Sequence, residues 1–341
     1  MSVIAETISE WFAMYHGDCV EVLPGLPAES IDYSIFSPPF ASLYTYTDSA
    51  HDMGNCKDTA EFIEHFRFLV PELLRVTKPG RLLSFHCMLL PTSKTRDGYI
   101  GLSDFRGALI KAFVGSERAA LLESAGILWA RAARESVNGD AVRAGRLRER
   151  ADAMRQEAGD DADQGWIHHS EVVIWKDPVT AMQRTKALGL LHKQLKKDSC
   201  MSRQGIPDYL VTMRKAGENP EPVTHTNESF PVGVWQRYAS PIWMDINPSD
   251  TLQVKSARQA EDERHVCPLQ LQVIERAVEL WTNPGDVVLS PFAGIGSEGY
   301  VAVRAGRRFM GIELKQSYYE QACLNLAAAT RMQSTLFSEQ D

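Results

Sequence analysis

Four consecutive residues, Ser37-Pro38-Pro39-Phe40, bring together groups that could act on a flat amine. Ser37 ends the apolar segment 31–37, which predicts a buried strand, and the other three residues follow it. Because proline has no N–H to donate, two prolines in a row fit neither a central strand nor a helix, and we expect a loop at the strand end. The Ser37 hydroxyl and the Pro38 carbonyl are two hydrogen-bond acceptors that could together hold an NH₂ group. Phe40 offers an aromatic ring on which a flat ligand could stack.

A second candidate site lies near the other end of the chain, in a glycine-rich stretch. Gly294, Gly296 and Gly299 match the pattern G-x-G-x-x-G, and Glu313 stands at the end of the next predicted strand. The glycines let the backbone approach a ligand closely, and the carboxylate can accept hydrogen bonds from two ribose hydroxyls. Both NAD and S-adenosylmethionine contain a ribose, so this loop alone does not distinguish between them.

The predicted elements around these two stretches alternate between strands and helices. The first group comprises a strand over 31–37, a helix over 60–76, a turn at 78–80 and a strand over 81–86. The second comprises a helix over 268–281, a strand over 287–289, a helix from the glycine loop to about residue 305, and a strand over 309–312. This alternation predicts an α/β fold with a doubly wound, Rossmann-like sheet. Between the two groups, the sequence predicts a helical hairpin over 117–163, a strand over 170–176 and an ordered loop region over 217–250.

Composition narrows the class of protein. The chain has 341 residues, of which 44% are hydrophobic, and a net charge of −8. It contains no apolar run long enough for a membrane span, and its acidic first residues do not resemble a secretory signal. The six cysteines form no C-x-x-C pair, which argues against a zinc site and against a disulfide framework. We therefore expect a cytoplasmic protein with no metal and no membrane partner.

One stretch is basic although the whole chain is acidic. Residues 176–215 contain nine basic and three acidic side chains, a local excess that would attract the phosphates of a nucleic acid. The residues predicted to contact DNA are Lys186, Lys193, Lys196, Lys197 and Arg203.

The order of these features resembles the site-specific DNA amino-methyltransferases, which modify adenine N6 or cytosine N4, in their permuted β arrangement. In that arrangement the catalytic tetrapeptide comes first, the target-recognition region follows, and the donor-binding loop comes last. The resemblance covers roughly residues 15–100, 165–215 and 255–330. It implies an S-adenosylmethionine-dependent methyltransferase fold with an inserted helical and target-recognition region, a double-stranded DNA partner, base flipping and a homodimer. Phage-borne and solitary methylases share this arrangement, so no partner restriction enzyme is inferred.

The resemblance also implies roles for individual residues. The catalytic residues would be Ser37, Pro38, Pro39 and Phe40. The donor-binding residues would be Asp18, Cys19, His265, Ser290, Pro291, Phe292, Gly294, Gly296, Ser297 and Glu313. The chain departs from the family at Ser290, where an aspartate is usual, so that a hydrogen bond is retained there without charge attraction. In this family, a serine in the tetrapeptide favours cytosine as the target base. However, one hydroxyl and one carbonyl can hold the amine of either base, so adenine and cytosine both remain possible targets.

On this interpretation the chain has four parts. Residues 1–116 form the catalytic half of the methyltransferase domain, 117–165 a helical insertion, 166–255 a strand plus the basic target-recognition region, and 256–341 the S-adenosylmethionine-binding half. His86, at the end of a predicted buried strand, is interpreted either as a packed residue or as one that supports a site residue without contacting the ligand.

Three other functions remain open. Methylases of RNA or of a protein amide nitrogen use Asn-Pro-Pro-Tyr and place the donor loop first, which is the opposite order. An NAD-linked oxidoreductase would leave the tetrapeptide without a role. A catalytically silent DNA-binding regulator would keep the fold and bind DNA without turnover.

Overall fold

The computed structural model describes residues 3–40, 53–92, 94–115, 117–137, 140–158, 165–179, 196, 206–252 and 268–338. The strands are β1 (Ala5–Ile8), β2 (Phe12–His16), β3 (Ile31–Phe36), β4 (Thr77–Met88), β5 (Leu90–Thr92), β6 (Gly101–Ser103), β7 (Trp166–Ile174), β8 (Asp208–Lys215), β9 (Ile242–Trp243), β10 (Val287–Ser290) and β11 (Arg308–Glu313).

The helices surround these strands. They are α1 (Cys19–Val22), α2 (Thr59–Phe66), α3 (Leu69–Val76), α4 (Lys94–Asp97), α5 (Phe105–Val114), α6 (Glu117–Val137), α7 (Ala141–Ala158), α8 (Val232–Tyr238), α9 (Leu271–Trp281), α10 (Ser297–Arg304) and α11 (Gln316–Ser338). Among the described residues, no helix is long and apolar enough to cross a membrane.

Nine strands form one sheet in the order β1-β2-β11-β10-β3-β4-β8-β7-β9, and β5 pairs with β6 separately. The five strands from β2 to β4 in this order run parallel, whereas β8 is antiparallel to both β4 and β7. From β10 the chain passes through α10 to β11, and from β3 it passes through α2 and α3 to β4 on the other side. The connections therefore diverge between β10 and β3, which is the switch point of a doubly wound sheet. The predicted fold class is confirmed.

The core lies on both faces of this sheet. Every residue of β3 is buried, as expected for a central parallel strand that is covered on both sides. One apolar cluster packs β3 and β4 against α2, α3 and α5, with Phe62 and Phe113 among its members. The other packs the sheet against α9, α10 and α11, with Val273 and Leu326 among its members. Because both faces of the sheet are packed, the carboxyl ends of its central parallel strands are held in fixed positions.

The helix predicted over 60–76 is wrong as a single element, because it consists of α2 and α3. In a continuous helix Pro71 could not donate to the carbonyl of Arg67, and its ring would clash with that carbonyl. The break at Arg67 and Phe68 places Pro71 in the first turn of α3, where a helix needs no intrahelical donor.

Several predicted boundaries also shift. β4 begins at Thr77 rather than at residue 81, because a bulge that includes Pro79 and Gly80 lets the strand start earlier. Before the bulge Ile31 pairs with Thr77, and after it Tyr33 pairs with Leu82. β7 spans Trp166–Ile174 rather than 170–176. The helix predicted from residue 268 begins at Leu271. The helical hairpin is confirmed as α6 and α7, and part of the loop region over 217–250 forms α8 and β9.

A buried charge cluster connects β3, β4 and β10 near the amino-terminal ends of these strands. The guanidinium of Arg81, only 2% exposed, lies 3.1 Å from carboxylate oxygens of both Asp32 and Asp286. The Asp32 carboxylate also contacts Lys78 Nζ at 2.7 Å and accepts from the Val287 N–H at 2.8 Å. The Asp32 side chain of β3 therefore connects this strand to both β4 and β10.

We expect Asp32→Asn to destabilise the protein by about 3–5 kcal/mol, because it leaves the buried Arg81 without its full countercharge. Urea unfolding measures this as a fall in the midpoint at unchanged m-value. The control is Glu72→Gln in the more exposed pair with Arg75, where the expected loss is about 1 kcal/mol or less. Equal losses in the two variants would contradict the role assigned to Asp32.

Candidate active site

Two loops that are distant in sequence meet where β10 and β3 end. These strands pair in parallel, with Val288 opposite Tyr33 and Leu289 opposite Ser34. The chain leaves β3 at Phe36 and β10 at Ser290, so the predicted catalytic tetrapeptide and the glycine loop start at the same sheet edge. The rings of Phe36 and Phe292 lie 5.7 Å apart between their centroids. The two sequence-predicted groups are thus brought together.

The tetrapeptide is held by its neighbours on β4 and α5. Pro38 is buried, whereas Ser37, Pro39 and Phe40 are half-buried. The Phe40 ring makes edge contacts with His86 at 6.0 Å and with Phe105 at 6.3 Å between ring centroids. The Ser37 Oγ lies 3.1 Å from the Nδ1 of His86. The segment therefore has a defined orientation although it belongs to no strand or helix.

The glycine loop has the conformation that its sequence requires. Gly294 and Gly296 have φ values of +53° and +82°, which side chains other than hydrogen rarely tolerate. A Cβ at Gly294 would meet no atom of the described residues within 4 Å, so among these residues the backbone there faces open space. A Cβ at Gly299 would collide with Phe309 and Leu326, so this glycine lets α10 pack closely on the sheet.

Glu313 is oriented by the loops on either side of it. Its carboxylate accepts from the Gly294 N–H at 2.8 Å and from the Lys315 N–H at 2.9 Å. Its backbone carbonyl accepts from the Gly17 N–H at 3.0 Å. The carboxylate is therefore held between the glycine loop and the segment after β11, and the backbone of Glu313 is joined to the segment after β2.

The segment after β2 contributes two predicted donor-binding residues. Asp18 is the N-cap of α1 and accepts from the Val20 N–H at 2.9 Å. Cys19 is buried. Its burial, together with the nearby carboxylates of Asp18 and Glu313, raises the pKa of the thiol well above its ordinary value. The thiol is therefore protonated at neutral pH.

Ser290, the position that departs from the family, is completely buried at the end of β10. Its Oγ has no hydrogen-bond partner within the part of the chain that the structure describes. An unsatisfied buried hydroxyl costs about 1–3 kcal/mol, so a ligand polar group at this strand end would be stabilising. Pro291 and Ser297 are also buried, and Phe292 is half-buried.

Some predicted residues lie outside the described residues. They are His265, Lys186, Lys193, Lys197 and Arg203. Lys196 is described, and its side chain is exposed. Of the other cations in the basic stretch, Lys176 contacts Asp208 at 2.6 Å and Lys215 contacts Glu29 at 3.4 Å. Those two charges are engaged within the protein.

The sequence interpretation missed two features. Asp208 lies beside His86, and this pair extends the contacts of Ser37 along the sheet edge. Glu298, in the first turn of α10, is a buried carboxyl whose pKa is raised to about 8, mainly by burial and further by the nearby Glu313. A charged residue inside the G-x-G-x-x-G pattern was the available signal for Glu298. Across the described ranges, no group of three or more potential ligands could hold a metal ion.

The fold and the site together define a class. The glycine loop and the loop that begins with Ser37 leave adjacent strands at the switch point of a doubly wound sheet, which is where Rossmann-like enzymes bind nucleotide ligands. A family model described as DNA methylase, N6_N4_Mtase, matches residues 31–323. The chain belongs to this N6/N4 DNA methylase family.

Two relatives agree with this membership. The DNA adenine methyltransferase YhdJ of Escherichia coli (strain K12) is 30% identical over 129 residues, 38% of this chain and 37% of YhdJ. The type II methyltransferase M.BglII of Bacillus subtilis is 36% identical over 78 residues, 22% of each chain. The matched segments thus span little more than a third of these relatives, or less.

Two solved structures share the fold. The Thermus thermophilus protein TTHA0409, complexed with S-adenosyl-L-methionine, has a TM-score of 0.57 and 19% identity and covers 94% of this chain and 95% of its own. The cytosine-N4-specific PvuII DNA methyltransferase has a TM-score of 0.57 and 15% identity, with 98% and 95% covered.

We expect Glu298→Gln to change how stability depends on pH. The unfolded carboxyl ionises near pH 4.5 and the folded one near pH 8, so between these values the unfolded state releases a proton that the folded state keeps. Wild-type stability therefore falls as pH rises through this window, by on the order of a few kcal/mol, and the glutamine variant escapes that loss.

Urea unfolding at pH 5, 6.5 and 8 measures this effect, with the exposed Glu228→Gln as the matched control. The stability of Glu298→Gln relative to wild type should increase steadily with pH. A constant difference across the series would contradict the assignment.

Proposed function

We propose that this protein methylates the exocyclic amino group of adenine (N6) or cytosine (N4) in a specific double-stranded DNA sequence, with S-adenosylmethionine as the methyl donor. The observation that carries this proposal is the meeting of Ser37–Phe40 with the glycine loop at the ends of β3 and β10. Membership of the DNA methylase family supports it. NAD chemistry would leave the tetrapeptide without a role.

The residues around the glycine loop fit the donor. The Glu313 carboxylate, oriented by the Gly294 N–H, suits ribose hydroxyls, and the open space beside Gly294 lets a ligand approach the backbone. The Ser290 hydroxyl, which has no partner among the described residues, offers a hydrogen bond to a polar group such as the donor's ammonium. When bound, S-adenosylmethionine supplies an electrophilic methyl group on a positively charged sulfur. TTHA0409 binds the same molecule on the same fold.

The tetrapeptide would act on the target amine. The lone pair of a base NH₂ is delocalised into the ring, which makes the nitrogen a poor nucleophile. Ser37 Oγ and the Pro38 carbonyl each accept one amine hydrogen, which favours a tetrahedral nitrogen with its lone pair available. The nitrogen would then bond to the methyl carbon as the bond between that carbon and the donor sulfur breaks, which would leave the sulfur as an uncharged thioether. The methylated nitrogen would afterwards release one hydrogen to water as a proton. Phe40, fixed by its edge contacts, would stack on the flipped base.

Both target bases belong to the proposal. YhdJ is named an adenine methyltransferase and the PvuII enzyme is cytosine-N4-specific. One hydroxyl and one carbonyl can hold either amine, since each base carries its NH₂ beside a ring nitrogen.

The remaining expectations stay predictions. They are DNA contacts by Lys186, Lys193, Lys196, Lys197 and Arg203, donor contact by His265, a homodimer, a cytoplasmic location and the four-part division of the chain. Within that division, β7 and β8 of the region 166–255 pair inside the central sheet. We therefore propose that this region contacts DNA through the segments between its strands.

Expression in a host that lacks DNA methylases tests the function. We expect N6-methyladenine or N4-methylcytosine in the host DNA, quantified by mass spectrometry after digestion to nucleosides. The double variant Ser37→Ala, Phe40→Ala should reduce the product at least about 100-fold, because it removes an amine acceptor and the stacking ring.

The matched control is Ser9→Ala, Phe68→Ala, which changes the same residue types in the β1–β2 turn and at an exposed position between α2 and α3. It should methylate like wild type. A folded wild-type protein that binds DNA but leaves neither modified base would contradict the proposal and favour a silent regulator.

A further inference from the structure

Four polar side chains form a row along the sheet edge that begins at the catalytic tetrapeptide. Ser37 Oγ lies 3.1 Å from His86 Nδ1. The other ring nitrogen, Nε2, lies 3.2 Å from Asp208 Oδ2. The second oxygen of that carboxylate, Oδ1, accepts from Lys176 Nζ at 2.6 Å. Each member therefore contacts the next through a different atom.

Strand register produces this row. Phe36 pairs with Phe85, so the residues that follow, Ser37 and His86, lie side by side. On the antiparallel β8, Met88 pairs with Asp208, so His86 and Asp208 are diagonal neighbours on one face. Ile174 of β7 pairs with Asp208, and Lys176 follows two residues later. The row depends on four strands and is as rigid as the sheet.

The Asp208 carboxylate is charged although it is almost fully buried. Burial raises the pKa of this carboxyl, but the contacts with His86 and Lys176 outweigh burial, and the pKa lies below its ordinary value. Arg106, which pairs with Glu171, and Asp104 are charged groups that act on the neighbouring Cys87. The His86 ring thus faces an anion on its Nε2 side.

An anion at Nε2 determines which nitrogen of a neutral ring carries the hydrogen. With the hydrogen on Nδ1, the Nε2 lone pair would face the carboxylate, which is repulsive. The hydrogen is therefore favoured on Nε2, although in this geometry it is not aligned well enough for a hydrogen bond. Nδ1 is then an acceptor, and the Ser37 O–H is the donor in the contact between them.

We propose that His86 and Asp208 are positioning residues that hold the Ser37 hydroxyl as an acceptor for the target amine; the inference rests on the function proposed above. A hydroxyl, unlike a carboxylate, can turn its hydrogen toward the amine. A hydrogen pointing that way would engage the lone pair that must attack. With the hydrogen directed to His86, the oxygen lone pairs of Ser37 face the amine instead.

Single-turnover methyl transfer tests the inference. We expect His86→Phe, which keeps a ring beside Phe40, to lower the rate about 100-fold, and Asp208→Asn to lower it at least about 10-fold through the wrong tautomer. The dissociation constants for donor and DNA should change less than about threefold. The matched control, His65→Phe on the exposed face of α2, should react like wild type.

A double-mutant cycle separates orientation from a general structural effect. An aspartate at position 37 has no hydroxyl hydrogen to orient. In the Ser37→Asp background, His86→Phe should therefore cost less than about fivefold, provided that this background methylates DNA. The same 100-fold loss in both backgrounds would overturn the proposal.

A spectroscopic readout tests the pair without methylation. In protein labelled with ¹⁵N-histidine, the signals that disappear in His86→Phe belong to His86. We expect the Nε2-protonated tautomer in wild type and the Nδ1-protonated tautomer in Asp208→Asn. A wild-type ring protonated on Nδ1, or on both nitrogens, would overturn the proposal.

The outcomes distinguish the two claims. A wild type that does not methylate DNA counts against the proposed function, while the spectra still decide the tautomer. A wild type that methylates DNA with unchanged rates in His86→Phe overturns the positioning role and leaves the function standing.

Discussion

The parallel pairing of β10 with β3 is the constraint on which the site depends. These strands are separated by most of the chain, yet Val288 lies opposite Tyr33, so both end at one edge. At the other edge, the Asp32 carboxylate accepts from the β10 backbone and contacts Arg81 of β4. Because the connections diverge here, the two loops stand at the point where a doubly wound sheet binds its ligand.

Each loop owes its chemistry to local sequence, but the relation between them is tertiary. The prolines after Ser37 prevent the strand from continuing, and positive φ angles at Gly294 and Gly296 turn the other loop over the sheet edge. Parallel pairing brings the loop proposed to accept the target amine beside the loop proposed to bind the donor. Glu313, at the end of the neighbouring strand β11, and His86, in the neighbouring strand β4, lie on either side of the two loops. The residues proposed to bind the donor and those proposed to bind the target base are therefore positioned by the same sheet.

Local patterns predicted the loops, the fold class and the helical hairpin, because prolines, glycines and apolar spacing act over a few residues. The prediction of a single helix over 60–76 was wrong because it relied on the apolar spacing and disregarded Pro71, which cannot lie in the interior of a helix. The row from Ser37 to Lys176 could not be predicted, since it depends on the register of strands that are far apart in sequence. The buried state of Glu298 likewise arises only from packing. Donor contact by His265 stays a prediction.

The most direct test of the central claim is a crystal structure of the protein with sinefungin, a donor analogue that carries an amine in place of the transferable methyl group, and duplex DNA. The account predicts the ribose of the analogue on Glu313 and its amine directed at the space in front of Ser37 and Pro38, with a flipped base between that amine and Phe40. An analogue bound away from the glycine loop, or with its amine directed away from Ser37, would contradict the claim that the two loops form one site.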